Sequence, residues 1–264
     1  MSEAFDIAAT TYDEVFTNSH IGILQRRLVY KYLEQTLPKN TALTILEINC
    51  GTGQDAIWLS NQGHNIIATD ISPEMISVAK NKQPENTINT LEFRQLDINN
   101  LGQTSFEHSF DLIFSDFGGL NCLSPEQLVN FLKSAKKKLK PQGRIIGVIM
   151  PKHCLLENVY FIFKGNFKKA FRRHTINAVP ANVDGTIVDT WYYNPKTIKK
   201  LSKPDYVLEQ IQPIGFFIPP SYLEPFFKKR QGVLKIMEKL DRIFNRFSFL
   251  SKYSDHYVIS IRIK

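Results

Sequence analysis

Short apolar segments alternate with amphipathic ones through the middle of the chain, and this alternation is its clearest structural signal. Apolar runs bounded by turn residues predict strands, and apolar residues at helical spacing predict helices. Strands are predicted at 45–49, 65–69, 91–96, 110–115 and 143–149, and helices at 14–37, 54–62, 73–81 and 125–139. Strands that alternate with helices favour a parallel sheet covered by helices on both faces.

The pattern changes after residue 150. An aromatic, basic helix is predicted over 153–173 and a hairpin from Gly185 to Tyr193. Tyr206–Pro213 and Asp255–Ile263 have the pattern of strands, and apolar residues recur at helical spacing between them. These patterns predict one domain over 1–264, with a helical cap (1–40), an α/β core (41–150), an inserted lid (151–200) and closing strands around a helix (201–264).

Composition limits the function classes. The chain of 264 residues is 43% hydrophobic, which supports a real core, but no apolar run is long enough to span a bilayer. The first ten residues lack the layout of a signal peptide, so we expect a cytoplasmic protein without stable membrane insertion. Cys50, Cys122 and Cys154 form no CxxC pair, and they predict neither a disulfide framework nor a metal site.

The net charge of +8 and the pI near 9.3 raise the possibility of nucleic-acid binding. Much of this charge, however, is in a lysine run over 133–140, on a predicted helix whose opposite face is apolar. A solvated helix face explains that run, and we expect no nucleic-acid partner.

The segment from Leu43 to Asp70 predicts a nucleoside site. A strand ends at Glu47–Asn49, the turn Cys50–Gly53 follows, and the next strand ends in Asp70. Glycines let a ligand approach the backbone, the helix start presents free N–H groups, and an acid at the end of the second strand can accept from ribose hydroxyls. A nicotinamide-dependent oxidoreductase shares this layout, but it would have a third glycine, which is missing here.

Further segments in order make the pattern specific. Glu47-Ile48-Asn49-Cys50-Gly51-Thr52-Gly53 is similar to the first motif of class I methyltransferases that use S-adenosylmethionine (SAM). Leu96-Asp97-Ile98 resembles the adenine segment of that family, and Phe110–Ser115 and Gly143–Ile146 resemble its fourth and fifth strands. The resemblance implies a Rossmann-like, seven-stranded doubly wound sheet of order 3-2-1-4-5-7-6 with the last strand antiparallel. Its cofactor would be SAM, and its product S-adenosylhomocysteine (SAH).

The resemblance also implies roles for single residues. Gly51 and Gly53 would pass close to the methionine part of the cofactor, Glu47 would organise that loop or the ammonium group, and Asp70 would bind the ribose. Asp97 would meet the adenine, which Ile71 and Ile98 could sandwich; the alternative for Asp97 is an ordinary loop acid. Tyr12 is a candidate cofactor lid or part of a packed terminal helix. The full implied set is Tyr12, Glu47, Asn49, Cys50, Gly51, Gly53, Asp70, Ile71, Asp97, Ile98 and Ser115.

Asn49 stands where the family usually has glycine, and asparagine tolerates a left-handed backbone better than other non-glycine residues. Cys50 is expected to be a small loop filler and not a nucleophile.

The sequence indicates the methyl acceptor less clearly than the cofactor. Relatives that methylate bases or glutamine carry an Asn/Asp-Pro-Pro-aromatic sequence after the fourth strand, whereas residues 115–122 here do not. His153 follows the fifth strand and is either a base or orienting group, or a loop histidine without a catalytic role. His256, after Asp255, is interpreted as structural. The acceptor-side candidates are Phe117, Asn121, Tyr160, Arg172, Tyr192 and Tyr193.

The leading hypothesis is a SAM-dependent methyltransferase that moves a methyl group to nitrogen or oxygen of a small organic acceptor in a lidded cleft. One alternative is a lipid or quinone acceptor, reached by a membrane-surface element over 216–250; Glu238 and Asp241 interrupt the positive charge there and weigh against it. The other alternative is a non-catalytic module that binds nucleic acid on this fold.

Overall fold

A computed structural model describes residues 2–84, 89–183 and 185–264. Seven strands form one sheet in the order β3-β2-β1-β4-β5-β9-β8, and β6 pairs with β7 in a separate hairpin. The strands are β1 (Thr44–Ile48), β2 (Asn65–Asp70), β3 (Leu91–Gln95), β4 (Phe110–Ser115), β5 (Leu139–Ile149), β6 (Val179–Val183), β7 (Thr186–Thr190), β8 (Tyr206–Ile214) and β9 (His256–Ile263). Strands β1 to β5 are parallel, and β9 runs antiparallel to both β5 and β8. The predicted sheet order is confirmed, with β8 and β9 as its sixth and seventh strands.

Ten α-helices occur in the described part of the chain. They are α1 (Ser2–Ala8), α2 (His20–Thr36), α3 (Gln54–Asn61), α4 (Pro73–Asn81), α5 (Pro125–Lys138), α6 (Leu155–Phe163), α7 (Phe167–Ala170), α8 (Pro195–Ser202), α9 (Glu224–Phe227) and α10 (Gln231–Phe244). Side-chain caps fix several starts: Ser72 Oγ accepts from Met75 N–H at α4, and Ser124 forms a capping box with Gln127 at α5.

Three predicted boundaries were wrong. The helix expected over 14–37 is a π-helical turn at Asp13–Thr17 followed by α2, because Ser19 caps a new helix by accepting from Gly22 N–H. The helix expected over 153–173 is divided into α6 and α7 at Gly165, whose φ is +67°. The hairpin begins at Val179 and not at Gly185.

The core has two parts, one on each face of the sheet. Alternate residues of a strand point to opposite faces, so Ile45 packs with the α2 side while Leu46 and Ile48 pack with the α5 side. Burying each such side chain contributes about 1.5–3 kcal/mol. The sheet therefore holds the loops at its carboxyl edge on a rigid base.

Acidic residues on the inner face of α10 attach this helix to the domain. Asp241 accepts from the N–H groups of Phe216, Phe217 and Ile218, and Glu238 accepts from Arg27 and Arg242. Burial raises the pKa of Asp241 to about 6. No helix within residues 2–84, 89–183 and 185–264 is long and apolar enough to cross a membrane.

The raised pKa of Asp241 predicts a measurable pH dependence of stability. The folded state binds the proton more tightly than the unfolded state, so the free energy of unfolding should fall as pH rises from about 4 to about 6. Asp241→Asn keeps an acceptor oxygen but cannot ionise. In this variant the fall in the free energy of unfolding with pH should therefore be smaller by about 2–3 kcal/mol. Urea unfolding of both proteins between pH 4 and 7 measures the difference; parallel curves would show that Asp241 does not titrate in this range.

Candidate active site

The loops after β1 and β4 diverge at the carboxyl edge of the sheet and leave a cleft with about 550 Å³ of empty space. Such crevices form where the strand order reverses, here between β1 and β4. The cleft is lined by Phe5, Tyr12, Asn49, Gly51, Asp70, Ile71, Met75, Asp116, Phe117, Gly118, Gly119 and Cys122. We call it the first cleft.

Two glycines in the turn after β1 have different reasons to be glycine. A Cβ on Gly51 (φ +53°) would have only Tyr12 Cε1 within 4 Å, at 3.9 Å, so this position opens to the cleft. A Cβ on Gly53 (φ +76°) would lie 2.7 Å from Phe93 Cε1, so this position is closed by packing against the sheet. Only Gly51 leaves space for a ligand beside the backbone.

Asn49 has a left-handed backbone with φ +57°, and its side chain lies against Gly119 from the loop after β4. A Cβ at position 119 would come within 2.5 Å of Asn49 Cβ. The asparagine and the glycine therefore depend on each other at the bottom of the first cleft.

The Asp70 carboxylate joins the loop after β1, which borders the first cleft, to the loop after β2. Gly51 N–H donates to its Oδ2 at 2.9 Å, and Ser72 N–H donates to its Oδ1 at 3.0 Å. Burial raises the pKa of Asp70 despite these hydrogen bonds. The N–H groups of Gly51, Ser72 and Ile71 leave lone pairs on the two carboxylate oxygens, and a diol in the cleft can donate to them.

The N-terminal cap covers the first cleft and is fixed there by Asp13. Thr52 Oγ1 donates to Asp13 Oδ1 at 2.6 Å, and Lys82 Nζ lies 2.6 Å from Asp13 Oδ2. Although burial opposes ionisation, the hydrogen bonds from Lys82 and Thr52 hold the pKa of Asp13 below its ordinary value. The anchor holds the neighbouring Tyr12 beside Gly51, and burial raises the pKa of the Tyr12 phenol.

Buried acids outnumber cations behind the first cleft. Glu47, Asp55, Asp70 and Asp116 interact electrostatically around Arg26, whose Nε donates to Asp55 at 2.8 Å. Glu47 Oε2 and Asp116 Oδ2 have no hydrogen-bond partner among the described residues. Burial and the negative charge of Asp55 raise the pKa values of both Glu47 and Asp116. This environment favours a bound cation.

A second, larger cleft with about 1420 Å³ of empty space meets the first one at Tyr12 and Phe117. Its other walls come from α1, the π-helical turn, the hairpin, the segment before α9 and the start of β9. They include Met150, Arg172, Arg173, Tyr192, Tyr222, Asp255 and His256. The two adjoining clefts give space for a donor and an acceptor side by side.

An ionic network forms one wall of the second cleft. Arg173 Nη2 donates to both Glu157 Oε2 (2.7 Å) and Asp255 Oδ1 (2.8 Å), and all three side chains are buried. Arg172 forms two further hydrogen bonds to Glu157. Despite burial, the charges of His256 and Arg173 hold the pKa of Asp255 well below its ordinary value. Asp255 is therefore a fixed anion.

His256 lies beside that anion, with Nδ1 3.1 Å from Asp255 Oδ2. Gln25 Nε2 donates to the same oxygen at 2.9 Å. The imidazole packs edge-on against Phe117, with ring centroids 5.4 Å apart. The ring is thus oriented at the junction of the two clefts.

The residues proposed from the sequence for the cofactor divide into three groups. Tyr12, Asn49, Gly51, Asp70 and Ile71 line the first cleft. Glu47, Ser115 and Cys50 are buried behind it, and burial raises the pKa of the Cys50 thiol. The remaining residues, Gly53, Asp97 and Ile98, lie outside its lining. Asp97 caps a short 3₁₀ helix by accepting from Asn99 N–H at 2.8 Å.

The acceptor-side candidates proposed from the sequence divide into two groups. Phe117, Arg172 and Tyr192 line the second cleft, whereas Asn121, Tyr160 and Tyr193 do not. Asn121 bridges β5 and the lid, since its Nδ2 donates to the carbonyls of Met150 and Trp191 while its Oδ1 accepts from Met150 N–H. Tyr193 OH donates to the carbonyl of Leu123.

His153 is not at the mouth of either cleft, contrary to the sequence expectation. It lines a separate surface depression with Asn194, Phe249 and Tyr253, and its ring packs edge-on against His174. The chain turns away from the sheet after Met150, which carries His153 to the outside of the lid. The residues that the sequence did not single out for the site are Asp116 and the His256–Asp255 pair. Their positions at the ends of strands that face the crevice could have indicated a place in the site.

Comparisons with known proteins agree with this geometry. A family profile described as a methyltransferase domain matches residues 45–143. The chain is 28% identical over 237 residues to the uncharacterized protein MJ1252 of Methanocaldococcus jannaschii, covering 87% of this chain and 84% of that one. It is 30% identical over 152 residues to the demethylmenaquinone methyltransferase of Lactococcus lactis subsp. lactis, covering 56% of this chain but only 57% of that enzyme.

The solved DhpI–SAH complex shares the fold over 99% of this chain and 94% of that one, with a TM-score of 0.59 and 16% identity. The α/β core is thus similar to a methyltransferase domain, and the whole chain has the fold of solved SAM-dependent methyltransferases. These similarities support an enzyme of this class with SAM as its cofactor. The first cleft fits this cofactor, because Asp70 on its wall can accept from a ribose and Asp116, also on its wall, has an unpartnered buried oxygen that favours a cation.

Asp70→Asn should weaken SAM binding about ten- to a hundredfold, because a neutral amide replaces a charged acceptor in a buried site. Isothermal titration calorimetry measures the change. Asp97→Asn is the matched control: if Asp97 only caps its 3₁₀ helix, affinity should stay near that of the wild type. Strong loss in Asp97→Asn with little loss in Asp70→Asn would reverse the two assignments.

SAM binding should release protons at neutral pH. Burial raises the pKa values of Glu47 and Asp116, and a cation bound near them lowers those values again, so affinity should rise with pH. Calorimetry in buffers of different ionisation enthalpy counts the released protons. SAH, which lacks the sulfonium charge, should release fewer, and so should the Asp116→Asn variant; equal release for all three would contradict a cation at these acids.

Proposed function

We propose that this enzyme transfers the methyl group of SAM to a nitrogen or oxygen atom of a small organic acceptor bound in the second cleft. The observation that carries the proposal is the junction of the two clefts at Tyr12 and Phe117, with His256 at the same place. A donor in the first cleft and an acceptor in the second would meet there. Alignment of the two reactants is the main catalytic contribution that such a transfer needs.

SAM supplies an electrophilic methyl group on a sulfonium cation, which the acceptor attacks in line. On the protein side, the Asp13 anchor holds Tyr12 over the junction and limits the access of water. The buried acids behind the first cleft stabilise positive charge in the bound donor before transfer. Phe117 and Tyr12 set the direction from which an acceptor approaches.

His256 is the proposed general base. Because Asp255 is also paired with Arg173, its carboxylate can stay ionised beside a neutral imidazole, and it then favours the tautomer that carries the proton on Nδ1. Nε2 is then free to take a proton from a hydroxyl or amine as the new bond to carbon forms. The acceptor loses this proton to His256, and the donor leaves as neutral SAH.

The walls of the second cleft indicate an acceptor with a flat conjugated ring. Arg173 lies over Tyr192 with Cζ 5.2 Å from the ring centroid, and Arg172 lies over Tyr222 at 5.5 Å. Aromatic and guanidinium faces together favour a ring that carries a partial negative charge, such as a phenol. The relative from Lactococcus lactis is named as a demethylmenaquinone methyltransferase.

His256→Gln should lower kcat about a hundredfold or more while leaving SAM affinity unchanged, because the glutamine amide cannot take up the proton. Methyl transfer from labelled SAM to panels of phenols, amines and carboxylates gives the rate and the acceptor class. His153→Gln is the control, and full activity is expected from it because its depression is separate from both clefts. Loss of turnover in His153→Gln with retention in His256→Gln would restore the role first expected of His153.

A further inference from the structure

Helix α10 presents an apolar stripe to the solvent. Val233, Ile236 and Ile243 are 43%, 60% and 55% exposed, and their spacing places them along one side of the helix. Leu234 and Asp241 form the opposite, buried side. Lysines and arginines border the stripe at Lys235, Lys239, Arg242 and Arg246. An ordinary surface helix instead buries its apolar residues and exposes its charged ones.

The acids that weighed against a membrane role in the sequence do not lie on this stripe. Asp241 binds three backbone N–H groups inside the domain, and Glu238 is buried against Arg27 and Arg242. The exposed part of α10 is therefore apolar and basic, without the negative charges that the sequence places among the lysines.

The lid carries a second exposed apolar set. Phe163 is 88% exposed, Phe167 61% and Ile176 80%, and Lys164, Lys168 and Lys169 lie among them. Lys164 lies 4.9 Å from the ring centroid of Tyr160, and Lys169 lies 5.8 Å from that of Phe161. Lysine stems packed on aromatic rings keep the charge at the surface beside the apolar groups.

Contacts join the two sets into one region. Phe161 of α6 stacks on Tyr222 with centroids 6.1 Å apart, and Tyr222 lies two residues before α9, where Phe226 is 53% exposed. At the other end, Leu155 N–H donates to the carbonyl of Tyr253, near the 64% exposed Phe249. We call residues 155–176 and 222–253 together the basic aromatic face.

The two segments that carry this face hold at least as much net positive charge as the whole chain. Their 54 residues include thirteen lysines and arginines and four acids, a net charge of +9, whereas the full chain has +8. The other 210 residues are therefore close to neutral. Of the charged residues in the two segments, Glu157, Glu238, Asp241 and Arg173 are buried, and Glu224 is hydrogen-bonded to His20 and Ile21.

We propose that the basic aromatic face docks on an anionic lipid bilayer. Exposed phenylalanines and isoleucines can enter the boundary between headgroups and acyl chains, while the lysines and arginines around them meet lipid phosphates. Apolar groups on both α6–α7 and α10 make a surface larger than single exposed residues explain. Charge complementarity favours the anionic bilayer over a second copy of this chain, whose identical face would repel it.

Arg172 and Tyr222 belong both to this face and to the wall of the second cleft. An acceptor dissolved in the bilayer would therefore reach the cleft directly from the docked surface. This part of the inference rests on the proposed function, whereas the docking itself does not.

The test uses the full chain and two kinds of vesicle, one of phosphatidylcholine alone and one with about a third phosphatidylglycerol. Co-sedimentation without acceptor should show binding only to the anionic vesicles, weakened by added salt. The double variant Phe163→Ser with Ile236→Ser should partition less strongly into the anionic vesicles. The expected decrease is about tenfold for each apolar side chain that no longer enters the bilayer. Ile187→Ser with Val207→Ser is the matched control, since both residues are exposed outside the face and binding should not change.

SAM affinity should remain that of the wild type in both double variants, which separates docking from failure of the fold. Absence of vesicle binding, or equal binding by the two double variants, would overturn the proposal. A solution dimer that Phe163→Ser with Ile236→Ser makes monomeric, without any vesicle binding, would assign the face to self-association instead. If vesicles bind but no acceptor is methylated, the proposed function fails and the docking stands.

Discussion

The site depends on one topological constraint, the reversal of strand order between β1 and β4. Connections from β1 and β4 leave to opposite sides of the sheet, so their loops cannot close over each other and a crevice remains. Strand β9 then runs against its neighbours, which brings its first residue, His256, to the same edge as the ends of the parallel strands. Residues from distant parts of the chain meet there because the sheet directs them toward this edge.

The lid is attached through charges that are costly to bury. Arg173 lies between Glu157 of α6 and Asp255 beside β9, and all three are withdrawn from water. Such a pair gains little net stability, but removing one partner leaves an uncompensated charge. The arrangement therefore acts mainly on position: it fixes the lid against β9, and the Asp255 that holds the lid also lies beside His256.

The sheet order and the Asp70 position could be predicted because they follow from local patterns and a specific resemblance. Asp70 ends a strand, and strand ends are readable from sequence. His153 and His256 also adjoin strands at the same edge, yet one lies outside the lid and the other at the junction of the clefts. That difference is decided by packing after Met150, which no local pattern encodes. Likewise, Glu238 and Asp241 look like interruptions of a basic surface until their inward hydrogen bonds are known.

The contact between Asn49 and Gly119 limits which residues these two positions can hold. With glycine at position 49, as is usual in the family, a side chain at position 119 meets no asparagine; once Asn49 is present, a Cβ there would collide with it. A side chain at position 119 is therefore sterically incompatible with the asparagine at position 49. Two positions 70 residues apart are coupled in this way, so neither can be changed to a larger residue without regard to the other.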